Sequence, residues 1–220
     1  MEFDALIFDL DGTLLDTLDD LADATNAMLH SNGFPTHPVD SYNHFVGDGI
    51  ANLVRRALPA TPQAPSLERC LRMLQEEYGR RWHCKTMPYP GIDELLVALT
   101  DRELRLAVLS NKPHEFTDLV IEHFFSPSPF SVVLGATDDR PRKPDPAGVS
   151  VILDRLDVAP GRTMLVGDTK TDMITAKEAG IWAVGVLWGF RDEQELRAHG
   201  ADAVIDRPGD LLHLISGDQS

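Results

Sequence analysis

Apolar residues along the chain follow two alternating patterns, one typical of buried strands and the other typical of helices. Short continuous apolar runs, which indicate buried strands, occur at 6–8, 106–109, 131–134, 163–166, 182–186 and 203–205. Between most of these runs, apolar residues recur at helical spacing. Strands that alternate with helices predict an α/β fold, in which a parallel sheet is flanked by helices.

One long block breaks this alternation, because no strand-like run occurs between residues 17 and 87. Residues 34–87 are instead predicted to be helical throughout, with stripes that include 50–58 and 67–78 and a proline-rich loop at 59–65 between these two. Ser66 is positioned to cap the helix that follows this loop. The pattern predicts an α/β core formed by residues 1–15 and 88–220, and a helical unit, residues 16–87, inserted into it.

Polar side chains form clusters directly or shortly after four of the predicted strands. These clusters are Asp9 with Asp11, Ser110 with Asn111, Lys143, and Asp168 with Asp172. They are far apart in the sequence, but a parallel sheet directs the carboxyl ends of its strands to a common edge, where ligands bind. Carboxylates buried at such an edge are costly unless a cation or hydrogen bonds satisfy them. We therefore expect one active site at this edge.

The chemistry of these side chains favours phosphoryl transfer. Asp9, Asp11 and Asp168 offer the oxygen ligands that Mg²⁺ takes, and Lys143 and Ser110 offer donors for phosphate oxygens. The clusters contain no histidine or cysteine, which disfavours acyl transfer by a triad. Asp9 could attack phosphorus to form an aspartyl-phosphate. Asp11 could protonate the leaving oxygen and then deprotonate the attacking water.

Composition narrows the choice of partners and compartment. The 220 residues include 20 Lys and Arg against 35 Asp and Glu, a net charge of −15, which argues against nucleic acid and anionic membranes as partners. A local basic pocket and a metal can still attract a small anionic substrate. Cys70 and Cys84 lack disulfide or zinc-site spacing, and no signal peptide or membrane span is evident. We expect a cytoplasmic protein, either a monomer or a homodimer.

Four motifs, taken in order, resemble the signature of the haloacid dehalogenase (HAD) superfamily. They are Asp9-Leu10-Asp11-Gly12-Thr13, Ser110-Asn111-Lys112, Lys143-Pro144, and Gly167-Asp168 with Asp172. The resemblance implies a Rossmann-like core with a helical cap inserted after the first motif, which is where residues 16–87 lie. This segment is called the predicted cap below.

The resemblance also implies a role for each site residue. Asp9 is the nucleophile and Asp11 the general acid and base. Mg²⁺ is held by the Asp9 carboxylate, the Asp11 backbone carbonyl and Asp168. The residues assigned to the phosphoryl group are Ser110, Asn111 and Lys143, and supporting roles are assigned to Asp172, Lys112 and Thr13.

A second set of motifs resembles the phosphoglycolate phosphatase branch of that superfamily. It comprises Phe45-Val46-Gly47-Asp48-Gly49, Tyr89-Pro90-Gly91 and Trp188-Gly189-Phe190. Ser110 departs from the threonine common in that branch but keeps the hydroxyl. The resemblance implies a Mg²⁺-dependent phosphatase for a small phosphorylated metabolite, 2-phosphoglycolate above all. Because hydrolysis through a phospho-enzyme benefits from the exclusion of bulk water, we also expect the cap to move on linkers near 14–17 and 85–91.

Several alternatives stay open at this stage. Within enzymes, they are a phosphatase for a sugar phosphate, a nucleotide or pyrophosphate, and a phosphosugar mutase. A catalytically silent module that binds Mg²⁺ and phosphate is the alternative outside enzymes, and the presence of both Asp9 and Asp11 disfavours it.

An EF-hand is excluded, because Leu14 and Asp20 occupy the loop positions of its glycine and glutamate. Asp16, Asp19 and Asp20 are interpreted as favourable charge at a helix N-terminus.

Overall fold

The computed structural model describes residues 2–60 and 65–216, so residues 61–64 of the predicted proline-rich loop lie outside the described part. The strands, in chain order, are β1 (Ala5–Phe8), β2 (Leu15–Asp16), β3 (Met87–Pro88), β4 (Arg105–Pro113), β5 (Phe130–Ala136), β6 (Thr163–Gly167), β7 (Trp182–Val186) and β8 (Ala203–Ile205). The α-helices are α1 (Leu18–Ser31), α2 (Tyr42–Phe45), α3 (Ile50–Ala57), α4 (Leu67–Arg81), α5 (Ile92–Asp101), α6 (His114–Phe124), α7 (Ala147–Leu156), α8 (Lys170–Glu178), α9 (Glu193–Ala198) and α10 (Asp210–Ser216). Every strand predicted from the apolar runs is present.

Six of these strands form one parallel sheet in the order β5-β4-β1-β6-β7-β8. Strand β1 lies between β4 and β6, so Leu6 is paired with both Leu106 and Met164. The chain extends the sheet on one side of β1 as far as β5 and then crosses to the other side at β6. Such a reversal opens a ligand-binding crevice at the carboxyl ends of the central strands. The architecture is the α/β fold that the sequence predicts.

Both faces of the sheet are covered, which explains why its central strands are continuously apolar. Leu6 and Phe8 of β1 pack into one hydrophobic cluster, whereas Ala5 and Ile7 pack into the other, because alternate residues of a strand point to opposite faces. The first cluster continues into the helices of residues 16–87, where it includes Leu29, Tyr42, Leu53 and Leu74. The hydrophobic core of the sheet is therefore continuous with that of the predicted cap.

The helices of the predicted cap pack on one another. Helix α4 contacts both α1 and α3. The hydroxyl oxygen of Ser66 accepts a hydrogen bond of 3.3 Å from the backbone N–H of Arg69, so the predicted N-cap of α4 is confirmed. No helix in the described part of the chain is long and apolar enough to cross a bilayer.

The connections between core and predicted cap are more ordered than the sequence predicts. Strands β2 and β3 form a short antiparallel pair that joins the two connections, with Leu15 opposite Pro88. The interpretation of Asp20 as helix-terminal charge is incomplete, because its buried carboxylate also accepts hydrogen bonds from the backbone N–H groups of Lys85 and Thr86 and from the Thr86 hydroxyl. Strands of two residues are too short to produce a recognisable periodicity.

Two other predictions need correction. The strand predicted at 106–109 continues to Pro113, because Ser110, Asn111 and Lys112 are buried within β4 although their polarity interrupts the apolar run. The block at 34–87 is not helical throughout, since residues 34–38 and 46–49 lie outside helices. Glycines at 47 and 49 have φ angles of +109° and +85°, which an α-helix does not contain.

Candidate active site

The four predicted clusters meet at the carboxyl edge of the sheet. Asp9 directly follows β1, Ser110 lies near the end of β4, and Asp168 directly follows β6. These are three adjacent strands of the sheet. Lys143 reaches the same edge from the loop between β5 and α7, and Asp172 reaches it from the first turn of α8.

Lys143 links two of the aspartates. Its Nζ atom lies 2.9 Å from Asp9 Oδ1 and 2.6 Å from Asp172 Oδ1, and its side chain is only 2% exposed. Burial alone would lower the pKa of Lys143, but Asp172 and Asp9 outweigh it and raise the pKa above its usual value. The ammonium group therefore stays charged. Asn111 fixes the loop that carries it, because the Asn111 amide donates a 3.0 Å hydrogen bond to the Lys143 carbonyl.

The aspartates of the site repel one another in a buried environment. Burial, followed by the charge of Asp172, raises the pKa of Asp9 to about 7, against the opposing effect of Lys143. Burial and the charges of Asp172 and Asp9 also raise the pKa of Asp168 well above its usual value. One lysine does not balance three neighbouring carboxylates, so the site is short of positive charge.

The donor set of this cluster fits a divalent cation. Carboxylate oxygens of Asp9, Asp168 and Asp172 all lie within 4.8 Å of one another, and all three residues are buried. Asp168 is oriented by the Thr13 hydroxyl, at 3.2 Å, and by the backbone N–H of Phe190, at 2.8 Å. Hard oxygen ligands of this type suit Mg²⁺. The Asp11 side chain lies outside this cluster, and the resemblance assigns only its backbone carbonyl to the metal.

Gly12 keeps space open behind the cluster. A Cβ atom at this position would lie 2.4 Å from Asp168 Oδ2, and the residue has a φ of +86°. Both the close approach and the left-handed backbone exclude a side chain here. The glycine of the first motif thus allows β1 to turn sharply past Asp168.

Asp11 is held by a second lysine. Lys112 Nζ donates to both carboxylate oxygens of Asp11, at 2.8 and 3.1 Å. The lysine side chain is 3% exposed, and its Nζ lies 4.7 Å from the centre of the Tyr78 ring. Burial would lower the pKa of Lys112, but Asp11 and then Tyr78 raise it above its usual value. The backbone N–H of Lys112 donates to the Ser110 hydroxyl at 3.2 Å, which orients that hydroxyl.

Asp172 supports the site through the start of α8. Its Oδ2 accepts hydrogen bonds from both the backbone N–H and the hydroxyl of Thr169, at 3.1 and 2.7 Å, and Asp172 and Thr169 form a capping box. Its other oxygen contacts Lys143. Helix capping and positioning of the lysine are therefore combined in one carboxylate.

A pocket with a volume of about 60 Å³ opens between these residues and the predicted cap. The core contributes Asp9, Asp11, Ser110, Asn111, Lys112, Pro113 and Phe116. The predicted cap contributes Leu21, Val46, Gly47, Gly49, Ile50, Leu53, Leu74 and Tyr78. The reactive edge of the sheet is thus covered by a mostly apolar surface.

Contacts between the predicted cap and the core involve Asp48, which belongs to a motif noted in the sequence, and Thr171 and Arg191, which the sequence did not single out. The Thr171 hydroxyl donates to Asp48 Oδ1 at 2.7 Å. Arg191 donates to the carbonyl oxygens of Asn43 and Val46, the latter at 3.0 Å. The only sequence signal was position, since Asp48 lies in the Gly-Asp-Gly turn and Arg191 follows the Trp-Gly-Phe element.

Comparisons of this chain with known protein families, relatives and solved structures all indicate the same family. The sequence profile of the haloacid dehalogenase-like hydrolases matches residues 6–186. A phosphoglycolate phosphatase from Psychrobacter arcticus is 32% identical over 204 residues, which cover 90% of this chain and 89% of the relative. Another from Vibrio cholerae is 32% identical over 216 residues, which cover 96% of each chain.

Solved structures share the fold over nearly the whole chain. A proposed phosphoglycolate phosphatase from Lactobacillus delbrueckii superposes with a TM-score of 0.90 at 30% identity, covering 99% of this chain and 100% of that chain. A haloacid dehalogenase-like hydrolase from Streptococcus pneumoniae has a TM-score of 0.87 at 22% identity, covering 96% and 98% of the two chains. The second likeness concerns the fold alone.

Proposed function

Because this chain belongs to the family of haloacid dehalogenase-like hydrolases, we propose that it hydrolyses 2-phosphoglycolate through an aspartyl-phosphate on Asp9, with Mg²⁺ as cofactor. The observation that carries the proposal is the position of Asp9, which contacts Lys143 and also belongs to the buried cluster with Asp168 and Asp172. A carboxylate between a fixed cation and a cation site is suited to attack a phosphate ester, because both positive charges lower the repulsion between the two anions.

The contacts of Asp9 distinguish its two oxygens. In the described part of the chain, both the backbone N–H of Leu10, at 2.7 Å, and Lys143 Nζ contact Oδ1. We assign Oδ2 as the atom that attacks phosphorus. Oδ1 keeps its two donors during the attack, which fixes the orientation of the carboxylate.

Mg²⁺ would be held by Asp9, Asp168 and the backbone carbonyl of Asp11. When bound, the ion neutralises charge on the transferring phosphoryl group. The positions of Lys143 and of Ser110 support a complementary role, in which the ammonium and the hydroxyl bind phosphoryl oxygens. Asn111 acts through its hydrogen bond to the Lys143 carbonyl.

Asp11 is assigned the two proton transfers. As the bond between phosphorus and the ester oxygen breaks, protonated Asp11 donates its proton to that oxygen, and glycolate leaves. The Asp11 carboxylate then removes a proton from water, which attacks phosphorus and releases inorganic phosphate from Asp9. Charges and protons balance over the two steps, and Asp9 and Asp11 both return to their starting states.

The choice of 2-phosphoglycolate is supported by the relatives that are named phosphoglycolate phosphatase and by the small volume of the pocket, about 60 Å³. We further propose that residues 16–87 form a cap domain that excludes water from the aspartyl-phosphate until glycolate has left. The contacts of Asp48 and Arg191 across the boundary support a closed arrangement of this cap.

The test is a comparison of substrates in the presence of Mg²⁺ and after its removal with EDTA. Phosphate release is measured from 2-phosphoglycolate, glucose 6-phosphate, adenosine monophosphate and pyrophosphate. We expect the highest kcat/KM for 2-phosphoglycolate and loss of turnover in EDTA. A higher kcat/KM for one of the other three compounds would contradict the proposed substrate, and no release from any of them would contradict the proposed activity.

A further inference from the structure

Tyr78 of helix α4 carries a polar atom that the mechanism above does not use. The residue is 3% exposed, and its hydroxyl group makes no hydrogen bond in the described part of the chain. A buried hydroxyl without a partner destabilises the fold, because it has lost its hydrogen bonds to water. Tyr78 is one of the residues that line the pocket, so a ligand bound there would supply the missing partner.

The position of Tyr78 in the pocket is distinctive. Among the described residues of the predicted cap that line the pocket, Tyr78 alone has a polar side-chain atom. The others are apolar or glycine, namely Leu21, Val46, Gly47, Gly49, Ile50, Leu53 and Leu74. If a side chain of the predicted cap lining this pocket hydrogen-bonds a polar group of the substrate, it is therefore the Tyr78 hydroxyl that does so.

Lys112 supplies a positive charge at the same place. Its Nζ lies 4.7 Å from the centre of the Tyr78 ring. An ammonium group has three N–H donors, and in the described part of the chain Lys112 Nζ donates to the two oxygens of the Asp11 carboxylate. The N–H group of Lys112 that Asp11 does not use therefore lies near the Tyr78 side chain, where one bound ligand would meet both groups.

From this juxtaposition we infer that Tyr78 and Lys112 recognise the carboxylate at the non-reacting end of the substrate. The inference rests on the proposed function and extends it, because it names the residues that select for a carboxylate. With the phosphate at Asp9, the carboxylate of a two-carbon substrate receives hydrogen bonds from the Tyr78 hydroxyl and from Lys112 Nζ. A phosphate ester without that group leaves the buried hydroxyl unpaired and is rejected.

The aromatic ring of Tyr78 is fixed independently of its hydroxyl. The ring packs edge to face on Phe116, with 5.2 Å between ring centres. Tyr78→Phe therefore removes one oxygen atom and preserves the packing of the ring. This makes it a clean probe of the hydroxyl.

The experiment compares kcat/KM for 2-phosphoglycolate with kcat/KM for ethyl phosphate, which has the same number of carbon atoms but no carboxylate. In the unaltered protein we expect the ratio to favour 2-phosphoglycolate. In Tyr78→Phe we expect this ratio to fall by about 10- to 100-fold, the range for a hydrogen bond to a charged group. The melting temperature should stay the same or rise, because an unpaired buried hydroxyl has been removed.

Tyr42→Phe is the matched control. Tyr42 is also a buried tyrosine of the predicted cap, but its hydroxyl donates a 2.7 Å hydrogen bond to Asn26 and it does not line the pocket. This variant should have a lower melting temperature and an unchanged substrate ratio. The two variants thus separate recognition of substrate from support of the fold.

The possible outcomes separate the inference from the proposed function. If the unaltered protein prefers 2-phosphoglycolate and Tyr78→Phe keeps the full preference, the inference is overturned and the proposed function stands. If the unaltered protein shows no preference for the carboxylate, the proposed substrate is wrong and the inference falls with it. A melting temperature of Tyr78→Phe as low as that of Tyr42→Phe would also overturn the inference, because the hydroxyl would then have a partner in the protein.

Discussion

Lys143 Nζ lies 2.9 Å from Asp9 Oδ1 at the carboxyl edge of the sheet. The two residues are far apart in the sequence, and their contact follows from topology. Strand β1 is central, while the chain leaves β5, two strands away, through the loop that carries Lys143. The parallel sheet therefore places the proposed nucleophile beside a permanent positive charge.

The first prediction concerns the removal of that charge. Lys143→Met leaves Asp9 and Asp172 buried without their ammonium partner, so we expect the free energy of unfolding to fall by about 3–5 kcal/mol. Phosphatase activity should fall by at least about a hundredfold, because the phosphoryl group loses a charged donor. Urea titration of the metal-free protein and steady-state kinetics measure the two effects.

Lys177→Met is a suitable control for the first prediction. Lys177 pairs with Asp202, but its side chain is 43% exposed. A solvated pair of this kind contributes about 1 kcal/mol or less. An equal loss of stability in both variants would contradict the importance of burial for the Lys143 pair.

The second prediction concerns the metal. The aspartate cluster is short of positive charge, so Mg²⁺ should bind the folded protein and raise its melting temperature with increasing concentration. Asp168→Asn should lose most of this shift, because the cluster loses one ionised oxygen ligand. Asp101→Asn, which removes an exposed carboxylate of α5, should keep it. Thermal unfolding at several Mg²⁺ concentrations provides the measurement, and an undiminished shift in Asp168→Asn would place the metal elsewhere.

The sequence predicted the sheet edge of the site well, for a physical reason. Buried parallel strands have apolar runs that are easy to recognise, and the polar residues that follow them must share one edge. Asp9 and Asp168, which directly follow their strands, are brought together by this rule, and Lys143 joins them from the loop after β5. This prediction of a shared edge does not depend on the order of the strands in the sheet.

The pocket wall and the connections to the predicted cap could not be predicted in the same way. Tyr78 belongs to an ordinary helical stripe, and nothing local indicates that it lines a pocket or that its buried hydroxyl lacks a partner. The contact of Thr171 with Asp48 likewise depends on how two distant segments dock. Periodicity determines which face of an element is buried, but not which side chains meet across an interface.

A third prediction follows from the connections between core and predicted cap. Asp20→Ala leaves the backbone N–H groups of Lys85 and Thr86 without their acceptor, so we expect a loss of about 2–4 kcal/mol in the free energy of unfolding. Asp19→Ala is the matched control, since its side chain is 53% exposed and lies 3.6 Å from Lys85 Nζ. Chemical denaturation of both variants tests the difference, and comparable losses would mean that Asp20 contributes only surface charge.

The most direct test of the account is chemical trapping of the aspartyl-phosphate. The enzyme is quenched during turnover of 2-phosphoglycolate and treated with borohydride, which reduces an acyl phosphate to an alcohol, and the modified residue is located by peptide mass spectrometry. We predict that position 9 becomes homoserine, that Asp9→Asn gives no such product, and that this variant loses at least about a thousandfold in turnover while remaining folded. Reduction at another aspartate, or full turnover by Asp9→Asn, would contradict the assignment of Asp9 as the nucleophile.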